Sequence, residues 1–347
     1  MRRTGYLGTS LVLTVMLAAS ALPGLGQAAQ GKAPQLRTQP EYNSYTACYN
    51  EKDPAKKADL CEKFVTDFKD SDYLSQGYTM IVQGYTGSKN WAKVMEAADR
   101  IGAVSAVDTK TKGFAYANAM VAAQNANNVD KVLAYGEKVL TVDPNDLNTL
   151  ITMSATIPVK YPNDKTQLDK AADMATKAIA GLQPMLAKAS AAEKPQLTQI
   201  DGTLHGTLGL IAFNQQNYKK SIAEYETAIK DNAKDDAAHF YLGYNYISLM
   251  AQASKDYQAA LKAENDAKAA KADQPTIDDL AAKRTAFEDE IRKNRDKAID
   301  ELALATAIGG PVAQQAKTEL TKQWTAKNDN TTGLEEFITQ KKGQIGG

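Results

Sequence analysis

The chain has 347 residues, 43% of them hydrophobic and 24% charged, with 41 basic residues balanced against 41 acidic ones. That hydrophobic content excludes a disordered chain, and balanced charge with no block of five or more Lys/Arg removes the electrostatic footprint of a nucleic-acid binder. Two Cys and two His leave little for a nucleophile, an acid–base pair or a metal site.

Arg2 and Arg3 precede an apolar run over 10–22, which Pro23, Gly24 and Gly26 break. Positive start, apolar segment and small residues around Gly26-Gln27-Ala28 are, in that order, the features of an export signal cleaved after Ala28. The run is too short for a comfortable membrane span. Residues 1–28 are therefore expected to be a signal peptide and the mature chain periplasmic or extracellular. Residues 29–40 read as a loose polar linker with Pro34 and Pro40. Export gives Cys48 and Cys61 a meaning. They lie on either side of Asp53-Pro54, a cap followed by a first-turn Pro, between predicted helices over 42–50 and 54–68. An antiparallel hairpin could bring the two thiols together; a structural disulfide is the expectation, two free buried thiols the alternative, and the spacing is not that of a redox Cys-x-x-Cys pair.

Next come a helix over 73–85 with Tyr78, Ile81, Val82 and Tyr85 on one face, a turn at Gly87-Ser88-Lys89-Asn90, and a partner opening at Trp91 with Val94, Ala98 and Ile101. Helices over 113–124 and 129–142 follow, the second stopped by Pro144. A helix over 147–157 is expected to end at Pro158 and Pro162. One carrying Leu168, Ala171, Ala175 and Ala178 follows a longer turn, and an extension passes Pro184 and Pro195. Ser190 and Glu193 have the spacing of a capping box.

Leu208-Gly209 recurs as Leu242-Gly243, and His205 recurs as His239, both 34 residues later. An amphipathic helix over 218–229 lies between them. A period of about 34 enclosing a helix–turn–helix is the signature of a stacked α-solenoid. Leu208, Gly209, Tyr218, Ser221, Tyr225, Ala228 and Ile229 stand where tetratricopeptide repeats place Leu-Gly, Tyr, Ala, a bulky residue and Ala-Leu. The chain resembles that family over most of 73–311, most closely over 204–246. Ser221 takes a slot usually held by Ala, Ala233 the slot of the closing Pro, and both His residues the slot of a Trp. The resemblance implies an all-α solenoid over 41–249 whose first helices line a concave face that takes protein or peptide partners. The slots fall on Gln83, Val121, Gln124 and Asn125, and further along on Leu210, Phe213, Asn214, Phe240, Tyr244 and Ile247. Such a surface is neutral, amide-rich and aromatic, and suits an extended peptide. The Lys/Asn arrangement with which related repeats clamp a terminal carboxylate is absent from these slots.

The second helix of the last repeat is expected only from Lys297, where Ala298, Leu302 and Ala305 restore the spacing. The stretch 250–296 has its own period of seven in Ala253, Ala260 and Ala267, and again in Ile277, Arg284 and Ile291. With a break at 273–276 and Thr276 as cap, it reads as an inserted antiparallel coiled-coil arm, about 30 Å long at 1.5 Å per residue. The arm is a second contact surface, open to self-association through 251–296. Residues 297–327 close the repeat and cap it, and 328–347 form a tail with a short helix over 334–338.

No Gly-rich phosphate loop, Gly-x-Ser-x-Gly or His-Glu-x-x-His is present. First helices of neighbouring repeats lie about 10 Å apart, too far for His205 and His239 to share a metal ion. The expectation is an exported, non-catalytic scaffold for protein or peptide partners, with no catalytic residues, metal or cofactor. The alternative is a structural component of a cell-envelope assembly.

Overall fold

The computed structural model describes residues 34–345, so the expected signal peptide, the start of the linker and the last two residues lie outside the described residues. Among the described residues the chain forms fourteen α-helices and no strand, an all-α helical-repeat fold. It divides into two compact units, one ending at Lys160 and one beginning at Tyr161.

The N-terminal unit holds α1 (Gln39–Asn50), α2 (Pro54–Asp67), α3 (Leu74–Gly87), α4 (Trp91–Ala103), α5 (Thr109–Asn125), α6 (Val129–Val142) and α7 (Leu147–Lys160). Phe64, Ile81 and Ile101 are fully buried at its centre, and Trp91 packs half-buried at the edge of the same core. Cys48 and Cys61 form a disulfide with Cα atoms 5.0 Å apart, joining α1 to α2. Closing a loop of this length restricts the unfolded chain by about 3 kcal/mol.

In the N-terminal unit α5 begins at Thr109 rather than at 113, and two boundaries at prolines also differ from the sequence reading. The linker ends early, because the Thr38 hydroxyl accepts the Glu41 N–H at 3.2 Å and Pro40 occupies the first turn of α1. Pro158 does not stop α7, which runs to Lys160. Pro158 lies in the last turn, where its missing donor removes one bond and no further turn depends on it. Its ring is buried, which offsets that loss.

One turn recurs. Lys89, Asn127 and Gln216 are left-handed, with φ of 56°, 52° and 60°. Each is followed by an Asn whose side chain caps the next helix: Asn90 on Lys93, Asn128 on Lys131, Asn217 on Lys220. In all three, the backbone N–H of the capping Asn also reaches five residues back, to Tyr85, Ala123 and Ala212. A left-handed non-Gly residue costs about 1–2 kcal/mol, and capping returns about 1 kcal/mol. The same bonded turn thus joins α3–α4, α5–α6 and, in the C-terminal unit, its second and third helices.

The C-terminal unit holds α8 (Lys165–Lys188), α9 (Lys194–Asn214), α10 (Tyr218–Asp231), α11 (Asp236–Ala269), α12 (Gln274–Ile308), α13 (Ala313–Asn328) and α14 (Leu334–Ile345). Half of the expected capping box forms. Glu193 accepts the backbone N–H and hydroxyl of Ser190, at 3.0 and 2.7 Å, but the Ser hydroxyl caps nothing in return. The second helix of the last hairpin begins at Gln274 rather than Lys297, so the insert is a continuation of two repeat helices. Its cap is Asp273, which accepts the Thr276 N–H at 2.8 Å; Thr276 is the capped residue. Gly309, at φ 83°, ends α12 in the left-handed region, and α14 continues to Ile345, past the short helix expected.

Candidate partner-binding surfaces

The joint between paired helices is built twice in the C-terminal unit. His205 on α9 bonds Glu224 on α10 at 2.8 Å, and His239 on α11 bonds Glu301 on α12 at 2.6 Å. Close approach is set by glycine in both. A Cβ on Gly209 would lie 2.8 Å from the Tyr225 ring, and one on Gly243 would lie 2.6 Å from Leu302 Cγ. On the first helices the matching residues are 34 apart. On the second helices, Glu224 to Glu301 and Tyr225 to Leu302, they are 77 apart. The two hairpins share one packing scheme, and the connection of the second is lengthened. The bond from Glu224 raises the His205 pKa against the opposing effect of burial.

Ser221 explains its own departure from the family pattern. Its hydroxyl donates to the Gly209 carbonyl at 2.8 Å and accepts from the Asn245 amide at 2.9 Å, tying α9, α10 and α11 together. Beside it the Tyr225 and Tyr241 rings stack at 5.5 Å.

The residues expected on a binding face fall in both units. In the N-terminal unit Gln83 on α3 is exposed. On α5 Val121 and Gln124 are half-buried, while Asn125 is exposed and donates to the Val121 carbonyl at 2.9 Å. In the C-terminal unit Leu210, Phe213 and Asn214 lie half-buried along α9, with Phe213 against Tyr218 and Tyr241 at 5.9 and 5.8 Å. Tyr244 and Ile247 are half-buried on α11. Phe240 corrects the sequence reading. It is 8% exposed and packs in one core with Ile299, Leu302 and Leu320, because α12 and α13 cover its side of α11. It is a packing residue.

The arm differs in kind. Along its seam Ala253 is buried, and Ala260, Ala267, Tyr257, Leu261, Ile277, Leu280, Phe287 and Ile291 are half-buried. The most enclosed polar group is Glu264, 5% exposed, which accepts from Lys268 at 2.5 Å and from Arg284 Nε across the seam at 2.8 Å. Those two bonds hold its carboxyl below the usual range. The seven-residue period pointed to Arg284 but not to its partner on the other helix. Glu224 and Glu301 also escaped the sequence reading, although both stand three residues after a small residue of the repeat, Ser221 and Ala298.

Among the described residues no group of three or more His, Cys, Asp or Glu could hold a metal ion, and no helix is long and apolar enough to cross a membrane. No protein-family model matches the chain, and no curated protein matches it in sequence.

Proposed function

We propose that this protein is an exported scaffold of tetratricopeptide type that binds protein or peptide partners and performs no catalysis. The observation that carries the reading is the behaviour of α11 and α12. They leave a tightly packed hairpin and continue together for about 30 Å as an arm whose apolar seam stays half-exposed. A helical hairpin with so little buried side-chain surface gives the fold little, and its geometry suits contact with another chain. The Cys48–Cys61 disulfide supports export, since such bonds persist in oxidising compartments. The exposed and half-buried residues of α3 and α5 in the N-terminal unit, and those of α9 and α11 in the C-terminal unit without Phe240, supply further contact surfaces, each within its own unit.

The test replaces 251–296 with a short turn joining Met250 to Lys297. Proteins captured from the native envelope by the full chain and by the shortened one are compared after both give the helical circular dichroism of intact repeats. The proposal expects a discrete set of partners to disappear with the arm. An identical set from both proteins removes the arm from the account. A fusion of residues 1–28 to a reporter active only after export checks localisation separately.

A further inference from the structure

At the root of the arm, α10, α11 and α12 border a cleft of about 520 Å³ within the C-terminal unit. Ile222 from α10 and Tyr246 and Leu249 from α11 give it an apolar lining. The charges around them follow an order. Short links at 232–235 and 270–273 make α10 and α12 run in the same direction. In that direction α10 presents Lys219 and then Glu226, while α12 presents Asp289 and Glu290 and then Lys293 and Lys297. Positive followed by negative stands opposite negative followed by positive. Among the described residues no ion pair crosses from α10 to α12, and Asp289 has only Arg292 of its own helix, at 3.6 Å. Both helices instead reach Tyr246, whose hydroxyl bonds Glu226 and whose ring lies 4.8 Å from the Lys297 ammonium.

The helices that carry the arm are weakened at this root. On α11 the Ser248 and Ser254 hydroxyls donate to the Tyr244 and Met250 carbonyls, at 2.9 and 2.8 Å. Such bonds compete for the carbonyls of the helix ladder and favour a bend. On α12 two donors in succession, Asn294 Nδ2 and Arg295 Nε, are enclosed without a hydrogen-bond partner. Unmet buried donors are rare and mark packing that a small shift can improve. Beyond this level only Ala253 and Glu264 are buried, so little core resists bending of the arm.

We infer that the arm bends at its root onto α10 and is held there by an ionic clasp, Lys219 to Glu290 and Glu226 to Lys293 or Lys297. Closure lays the aliphatic stems of these side chains over Ile222 and Leu249. Exposed ion pairs are individually weak and screened by salt, so the clasp opens and closes rather than locks. The two positions point the arm in two directions, which sets where its seam is presented. Closure is a property of the chain alone and requires no partner on the arm.

Spin labels at Ala223→Cys on α10 and Ala270→Cys at the arm tip, both exposed positions, read the closure in the full chain by double electron–electron resonance. Cys48 and Cys61 are bonded to each other and take no label. Two distances are expected at low salt, and the population of the shorter one should fall at least about threefold at about 1 M salt, where the screening length is about 3 Å. In Lys219→Glu it should fall by a similar factor. Lys219→Glu combined with Glu290→Lys should restore it, a recovery that a merely structural lysine would not show. The salt series leaves the clasp residues unchanged, so it decides the matter even if Lys219→Glu unfolds. A single distance at every salt concentration, a short distance untouched by Lys219→Glu, or no recovery in the exchanged pair with helical circular dichroism intact would overturn the inference.

Discussion

The same two helices behave differently at their two ends. Over 236–249 of α11 and 298–308 of α12, His239, Phe240, Leu242, Gly243, Leu302 and Ala305 are buried, and the helices interlock through a glycine and a His–Glu bond. Over 251–292 only Ala253 and Glu264 fall into the buried class, and the ion pairs link residues one turn apart or join Glu264 to Arg284. Backbone hydrogen bonding is continuous through both parts, so helix formation does not distinguish them. Side-chain burial does. The root is placed by packing, whereas the arm is a pair of helices held by alanine-rich propensity and surface charge. A chain that extends two repeat helices past their own core keeps register at the root and leaves side chains available beyond it.

The largest effect is expected at the root. Leu302 is fully buried against Gly243. Leu302→Ala should cost about 3 kcal/mol, within the usual range for such truncations. Urea unfolding followed by Trp324 fluorescence in a Trp91→Phe background reads the C-terminal unit alone; a loss below about 1 kcal/mol would place the interlock elsewhere. His239→Ala should cost about 1–3 kcal/mol by leaving Glu301 without its partner. His239→Gln, which keeps a donor, should recover part of that loss in the same assay.

The His205–Glu224 bond adds a pH dependence. The folded pKa of His205 is raised, so its contribution is complete below the unfolded value of about 6.5 and is lost as pH rises through the folded one. Stability measured from about pH 6 to about pH 9 should therefore fall more in the native protein than in His205→Gln. Parallel curves would mean that the bond is not linked to protonation. The smallest effect is expected in the arm. Phe287→Ala removes a half-buried ring and should lower global stability by about 1 kcal/mol or less, while accelerating amide exchange nearby.

How much of this was legible follows from which interactions are local. Helix type and most boundaries were, because apolar spacing and the Asp and Asn caps act within a few residues. Gly209 and Gly243 were visible as a repeated pair. Pro40 and Pro158 were misread because the effect of a proline depends on its position within a turn. Phe240 was misplaced because the period shows that it faces inward or forward but not that α13 will cover it. Glu224, Glu301 and Glu264 were missed because their partners are 19, 62 and 20 residues away. The disulfide was the exception, since a short hairpin made a non-local pair almost local.

Native-state hydrogen exchange read by mass spectrometry along α11 is the most direct test. If packing rather than helix formation separates root from arm, amides over 239–249 should be protected at least about a hundredfold more than those over 254–268. Uniform protection along the whole helix would contradict that account.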